Sequence, residues 1–424
     1  MGNPVPGGKG AFPRKNSLAP NGNPLNIIRL RPSLFPPRQK PAKTSPAMPA
    51  KSPKKTVLLL CGGKSAEHQV SLISCHSVYQ ALDRRTYSPL VVGIDQDGVW
   101  RYYGDQEFLD APQDPQRVRL REGAPLCFPL STPQGAALAF PGSRRKPVAF
   151  SLAFPVLHGT YGEDGCIQGM LEMLDVPCVG CGVAASANCM DKERTKVLAS
   201  SLLNIPVAPF YAFGAEEEIP REEILQDLGL PLFVKPASTG SSVGIVRVGK
   251  EKELEEAIRQ AFLYDDKVLV EQAVQNAREV ECAVLEMPDG SLLVADPGEV
   301  IPRHGFYDYQ AKYLDDQGAR LQVPANLTRE EKDFIREAAG MVFRALECHG
   351  MARVDFFLRK DRKKHAKDPL ILNEVNTIPG FTGISLYPKM MENSGMDYAT
   401  LISQLLENAL ARALRKKQLL RKPE

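Results

Sequence analysis

Large apolar residues first gather at 56–60, Thr-Val-Leu-Leu-Leu, an unbroken run of the kind a strand buried on both faces requires. Two glycines make 61–65 a turn. Residues 67–82 then read as a helix, with Val70, Ile73, Ser77 and Ala81 along one side. A second apolar run at 90–94 completes strand, glycine turn, helix, strand, which is a βαβ unit and predicts parallel strands. Residues 95–147 lose the periodicity and are rich in Pro, so they read as an elaborated insertion around Trp100, the sole tryptophan. Residues 148–156 predict a further strand, 158–165 a loop, and a helix starts at Ile167.

The pattern then alternates to the end of the chain. A helix is predicted over 191–203, paired strands over 232–236 and 244–248, a helix over 252–262 and a strand over 268–271. Strands follow at 281–286, 292–296, 352–358 and 370–375, with helices at 329–347 and 397–415. The fold class is mixed α/β, and 424 residues suffice for two or three domains.

Residues 1–54 break the pattern. They are rich in Pro, Gly, Ser, Lys and Arg and poor in large apolar residues, so they cannot bury enough surface to offset their ordering entropy. They read as a disordered basic tail. Lacking a long apolar stretch, the tail is no secretory signal. Its composition also fits an organelle transit peptide, and Gly2 starts a myristoylation pattern that Pro6 spoils.

Charge is unevenly spread. Residues 1–55 hold 11 of the 53 basic residues and no acid, leaving 42 basic against 50 acidic residues in the remainder. The folded part is mildly acidic, so nucleic-acid binding is not indicated. No apolar run is long enough to span a membrane. Among nine cysteines, Cys178 and Cys181 form a lone C-x-x-C without a second pair or a suitably spaced histidine, which points to reduced thiols in an intracellular protein.

Two segments carry chemistry. Lys235-Pro-Ala-Ser-Thr-Gly-Ser-Ser-Val-Gly244 is strand, Gly/Ser loop, strand. It is not a Walker A loop, because no Gly-Lys-Ser/Thr ends it and no helix follows. Its backbone N–H groups, with the Ser241 and Ser242 hydroxyls, can still cradle phosphate, and Lys235 can add a point charge. An ordinary hairpin would read the same way. In Asn373-Glu374-Val375-Asn376, Glu374 and Asn376 are two apart at a strand end and share a face. With Asp355 on another predicted strand they offer hard oxygen ligands for Mg²⁺ and could clamp two ions for phosphoryl transfer.

Seven motifs in order then resemble the D-alanine–D-alanine ligases, in their longer form, over about residues 56–415. They are Gly62-Gly-Lys-Ser-Ala-Glu67-His68, Leu157-His158-Gly-Thr-Tyr-Gly-Glu-Asp-Gly165, Met190-Asp-Lys192, Lys235–Gly244, Phe306-Tyr-Asp-Tyr-Gln-Ala-Lys312-Tyr313, Gly350-Met-Ala-Arg353-Val-Asp355 and Asn373–Gly380. The resemblance implies a three-domain ATP-grasp fold. A Rossmann-like α/β domain would occupy 55–182, a central α+β ATP-grasp subdomain 183–272, and the α+β catalytic domain 273–424.

It further implies ATP as substrate, two Mg²⁺ or Mn²⁺ ions, and D-alanine joined to D-alanine through an acyl phosphate for peptidoglycan synthesis. Glu67 would hold the first D-alanine's ammonium, with His158 nearby. Arg353 and the Gly380 N–H would stabilise the oxyanion, and Ser385 and Leu386 would meet the second D-alanine. Lys192, Lys235 and Lys312 would contact phosphates, Glu271 and Glu279 adenine and ribose. Tyr313 would close a loop onto Ser241 in a Glu67–Ser241–Tyr313 triad. A cytoplasmic homodimer is expected. The other readings are a D-alanyl-D-lactate or D-alanyl-D-serine ligase, and a catalytically silent nucleotide-binding protein. On its own, His158 reads as a structural hydrogen bond.

Overall fold

The first apolar run becomes β1 (Lys55–Gly62), buried from Val57 onward. In the computed structural model, residues 14–15, 54–302, 319–360 and 369–420 are described. Helix α1 (His68–Ala81) leads from β1 to β2 (Tyr87–Ile94), which pairs parallel with it. Antiparallel β3 (Trp100–Gly104) adds one edge, and parallel β4 (Leu152–Pro155) the other.

The 148–156 run is two pieces rather than one strand. Val148–Ala149 joins a hairpin of Phe128–Thr132 and Gly135–Ala139, and only β4 enters the parallel sheet. The chain turns between them at Ser151, whose N–H donates to the Thr56 carbonyl at 2.8 Å.

Side chains of β1 alternate between two cores, since successive residues point to opposite faces. Leu58 and Leu60 pack with Ile167 and Leu171 of α2 (Cys166–Met173). Val57, Leu59 and Cys61 pack with Leu72, Cys75 and Val78 of α1. The buried face of α1 is therefore not the Val70–Ile73–Ser77–Ala81 stripe expected from the pattern. Those residues are only partly buried, and the first three face a cleft. Two serines displace the expected stripe. Ser71 Oγ donates to Val156 O and accepts from the Gly62 N–H, and Ser74 reaches His158.

Two short helices follow, α3 (Val183–Met190) and α4 (Lys192–Leu203), with Asp191 capping α4 through the Arg194 N–H at 3.0 Å. Next comes an antiparallel sheet in the order β5–β8–β6–β7: β5 (Phe210–Gly214), β6 (Leu232–Pro236), β7 (Val246–Val248) and β8 (Lys267–Gln272). Helices α5 (Arg221–Leu228) and α6 (Leu254–Ala261) cover one face. The pattern had shown neither β5 nor α5. Before Lys54, the described residues are Arg14–Lys15, which pair antiparallel with Ala212 and Tyr211 at this sheet's outer edge.

The last sheet is antiparallel, in the order β12–β11–β9–β13–β14 with β10 paired to β9. Its strands are β9 (Ala277–Glu286), β10 (Leu292–Val294), β11 (Gly298–Pro302), β12 (Ala319–Gln322), β13 (Met351–Arg359) and β14 (Leu370–Asn376). Val280, Cys282, Ala352, Val354 and Phe356 pack beneath α7 (Arg329–Ala345), while Glu279, Glu281, Arg353 and Asp355 line the cleft on the other face. Helices α8 (Leu386–Asn393) and α9 (Tyr398–Lys416) then return to the first sheet. Leu401, Leu405 and Leu406 share the core of Leu59 and Leu72. The mixed α/β class holds.

Candidate active site

A cleft of about 1390 Å³ opens between helix α1 with the loops beside it and the other two sheets. One wall is the hairpin of β6 and β7. Its loop needs unusual backbone: Ser241 and Ser242 both have positive φ, +51° and +60°. A turn of small residues such as this can offer its N–H groups to an anion. Asp265 fixes the root of the loop by accepting from the Ser238 N–H at 2.5 Å.

Lys192, the first residue of α4, lies under the same loop. Its ammonium donates to the carbonyls of Thr239 (2.5 Å), Pro236 (3.3 Å) and Ala237 (3.4 Å), and burial pushes its pKa down. Lys235 lies one residue before the end of β6 and pairs with Glu271 of β8 at 3.2 Å. Glu271 is itself buried. Burial alone would raise it, but Lys196 and Lys235 hold it below the ordinary value. Glu279 of β9 lies farther along the cleft wall.

Glu67 precedes α1 and does not cap it. Its carboxylate instead accepts from the Ser241 hydroxyl across the cleft. The approach depends on two glycines. A Cβ on Gly240 would stand 2.5 Å from Glu67 Oε2, and one on Gly159 2.6 Å.

His158 lies deeper and is 3% exposed. Its Nδ1 sits 2.9 Å from the Ile378 carbonyl, which can only accept, so Nδ1 carries the proton. Nε2, 3.0 Å from Ser74 Oγ, is then the acceptor. Burial lowers its pKa to about 4 and keeps the ring neutral. Glu163, which the motif reading did not single out, ties the same loop to β14's exit by accepting from the Gly159 N–H (2.8 Å) and the Ile378 N–H (3.0 Å). Burial, with the nearby Glu67 carboxylate, pushes it up to about 8.

The opposite wall carries the carboxylates. Arg353 and Asp355 alternate onto the cleft face of β13. Arg353 donates to both Asp355 oxygens at 2.8 and 2.6 Å and lies 2.8 Å from Glu281 of β9. On β14 the register slips: Asp355 faces Glu374 but Phe356 faces Leu372, so Asn373 is a bulge. Without it Leu372 and Glu374 would share a face. With it, Leu372 enters the core and Glu374 and Asn376 line the cleft.

Asn376 Nδ2 lies 3.0 Å from Asp355 Oδ2 and 3.5 Å from Glu374 Oε1. The three oxygen-bearing side chains thus converge, as a hard cation requires. Burial pushes Asp355 up to about 8 against the pull of Arg353. A divalent cation would add to Arg353 as a counter-charge for these buried carboxylates. Among the described residues no three His, Cys, Asp or Glu side chains form a closed cage. Two carboxylates and an amide leave coordination positions open, so the set fits Mg²⁺ carrying phosphate.

Beyond β14, Gly380 and Ser385 meet: a Cβ on Gly380 would lie 3.2 Å from Ser385 Oγ. Ser385 Oγ accepts from the Thr382 N–H at 3.2 Å, and Ser385 precedes α8, which Leu386 opens. The structure therefore gathers Glu67, His158, Lys192, Lys235, Ser241, Ser242, Glu271, Glu279, Arg353, Asp355, Glu374, Asn376, Gly380, Ser385 and Leu386 around one cleft. Lys312 and Tyr313 lie outside the described residues. Lys196, Glu163 and Glu281 were missed. Their signals were slight: Lys196 is one helical turn from Lys192, Glu163 sits inside the His158 motif, and Glu281 shares a strand face with Glu279.

The family described as "D-ala D-ala ligase N-terminus" matches residues 56–181, and "D-ala D-ala ligase C-terminus" matches 200–407. A D-alanine–D-alanine ligase of Proteus mirabilis is 41% identical over 84% of this chain and 94% of its own. A D-alanine–D-alanine ligase A of Bradyrhizobium diazoefficiens is 44% identical over 84% and 95%. Among solved structures, the D-alanine–D-alanine ligase from Coxiella burnetii superposes with a TM-score of 0.72 at 33% identity, covering 88% of this chain and 98% of its own. The VanG D-Ala:D-Ser ligase from Enterococcus faecalis gives 0.70 at 33%, over 84% and 100%.

Proposed function

The chain belongs to the D-alanine–D-alanine ligase family, whose fold is ATP-grasp, and on that premise we propose how its cleft joins two D-alanines. The enzyme is an ADP-forming ligase that makes D-alanyl-D-alanine for peptidoglycan precursors, with ATP and a divalent metal. One observation carries the assignment of the site: the Glu67–Ser241 contact and the Arg353–Asp355–Glu374–Asn376 group face each other across a single cleft.

A carboxylate is a poor electrophile. Transfer of the ATP γ-phosphoryl group to the first D-alanine's carboxylate forms an acyl phosphate and ADP. The second D-alanine's amine then attacks the carbonyl carbon, and phosphate leaves. Glu67, aligned by Ser241, holds the first ammonium, and neutral His158 keeps the adjoining loop in place. Arg353 and the Gly380 N–H stabilise the oxyanion that develops during attack. Ser385 and Leu386 shape the second site. Lys192, Lys235 and Ser242 take phosphates, Glu271 and Glu279 the nucleoside end. Two ions, Mg²⁺ or Mn²⁺, held by Asp355, Glu374 and Asn376, would screen the phosphate charge. Lys312 would add a charge at the γ-phosphate and Tyr313 would meet Ser241, both outside the described residues, and a closed site would keep water from the acyl phosphate.

We also read three domains, over 55–182, 183–272 and 273–424, in a cytoplasmic homodimer. Each range holds a sheet or sheets of its own, which supports the division. Among the described residues no helix is long and apolar enough to cross a membrane.

A second reading, ligation of D-alanine to D-serine, draws support from the likeness to the VanG ligase. Competition settles it. With D-alanine held constant and D-serine or D-lactate added, products are resolved by mass. D-alanyl-D-alanine should dominate at equal concentrations, and a dominant mixed product would replace the first reading with the second. Tyr313→Phe should shift this preference or weaken closure while ATP binding stays nearly intact. Unchanged kinetics with every substrate would remove Tyr313 from the triad.

A further inference from the structure

Lys196 follows Lys192 by one turn of α4, and its side chain is wholly buried. It has two partners, Glu271 Oε2 at 3.3 Å and the carbonyl of Asn373 at 3.2 Å. It does not line the cleft, whereas Lys192, Lys235 and Glu271 do. An ammonium in the interior is costly to bury, and a helix needing only packing would do as well with an apolar side chain there. Burial pushes this lysine's pKa down, in keeping with that cost. The charge therefore calls for a reason beyond packing.

Glu271 Oε2 also accepts from Lys235, at 3.2 Å. One carboxylate oxygen is thus shared by two ammoniums, of which only Lys235 reaches the cleft. Were Lys235 the sole partner, the pair would be neutral and would present little field to a phosphate. With both lysines the trio keeps one net positive charge, carried by the member that faces the nucleotide.

We propose that Lys196 is a positioning residue for phosphoryl transfer: it neutralises Glu271 from the protein side, so that Lys235 keeps its charge for the nucleotide phosphates. Its second bond joins α4 to the bulge residue just before Glu374. The same ammonium therefore fixes the phosphate lysine relative to the strand of metal ligands. The inference rests on the proposed reading of Lys235 as a phosphate contact.

The test compares three full-length variants by steady-state kinetics with MgATP and D-alanine. Lys196→Met should raise KM for ATP about tenfold, the scale of one partly buried charge a few ångströms away. KM for D-alanine should stay within about twofold. Lys196→Arg keeps the charge and should hold KM for ATP within about threefold of the natural enzyme. A lysine needed only for packing would tolerate the slimmer methionine better than the bulkier arginine.

An unchanged KM for ATP in folded Lys196→Met overturns the inference, as does a folded Lys196→Arg whose KM for ATP rises as far as that of Lys196→Met. Should Lys196→Met not fold, Lys196→Gln, which removes the charge but keeps a donor for the Asn373 carbonyl, takes its place with the same two outcomes. Lys235→Met separates the two levels of argument. If it leaves KM for ATP unchanged, the phosphate reading itself fails.

Discussion

Gly240 is bare because Glu67 occupies the space where its side chain would stand. Gly240→Ala would put a Cβ 2.5 Å from Glu67 Oε2, so the carboxylate must swing away from Ser241. Kcat/KM for D-alanine should fall at least about tenfold, the cost of misplacing a binding group by about 1 Å, with ATP binding retained. Isothermal titration with a nonhydrolysable ATP analogue, beside D-alanine kinetics, separates the two.

Arg353 faces two carboxylates, Asp355 and Glu281. If Arg353 has the oxyanion role proposed for it, Arg353→Ala should lose turnover far more than ATP affinity, since such a partner acts mainly in the transition state. It should also lower stability by about 3 kcal/mol, because it leaves buried carboxylates without their cation. Kcat and KM for ATP, with a denaturant melt, check both halves.

His158 titrates at about 4, below the ordinary 6.5. Between those values the unfolded chain binds the proton and the folded chain does not, so stability is lost as pH falls through that window, by up to about 3 kcal/mol. Glu163, raised to about 8, slopes the opposite way from about 4.5 upward. The cleanest readout is therefore the difference in melting slope between the natural enzyme and His158→Gln from pH 6.5 to 4. Parallel slopes would contradict a neutral buried imidazole.

At the scale of elements, the strand alternation that put Glu374 and Asn376 on one face was legible, and the structure keeps it. The bulge at Asn373 was not, because a one-residue slip leaves no mark in a hydrophobic pattern. Helix α1 shows a different limit. Its inward face carries Ser71 and Ser74, which satisfy the Val156 carbonyl, the Gly62 N–H and His158, so polarity hid the core side from a period count. The strands around the phosphate loop were read closely because glycine and serine bracket them. The β5 strand and the helix α5 were not, having weaker boundaries.

The corrected face of α1 makes a contrast testable. Leu72 is fully buried, and Leu72→Ala should cost about 2–5 kcal/mol. Ile73 lines the cleft, and Ile73→Ala should cost less stability but change KM for D-alanine. Paired denaturant melts and kinetics would expose a reversed assignment.

The whole molecule is closed by its last helix. Leu401, Leu405 and Leu406 of α9 fill the core that β1 and α1 begin, and Arg412 donates to the carbonyls of Gly180 and Cys178 at 2.7 Å each. The chain's two ends of fold therefore stand or fall together. Leu405→Ala should lower stability by about 2–5 kcal/mol and leave a single calorimetric transition. Two separated transitions would show that α9 belongs to the last sheet alone. This long-range pairing is beyond the reach of local patterns, whereas the order of the seven motifs was enough to indicate one cleft.

The proposed chemistry is phosphorylation of one D-alanine in this cleft so that another can join it. ADP release by the purified full-length chain, measured with MgATP in the presence and absence of D-alanine, tests it most directly. ADP production should depend on D-alanine and match D-alanyl-D-alanine formed one for one. No ADP above background when D-alanine is added would contradict it.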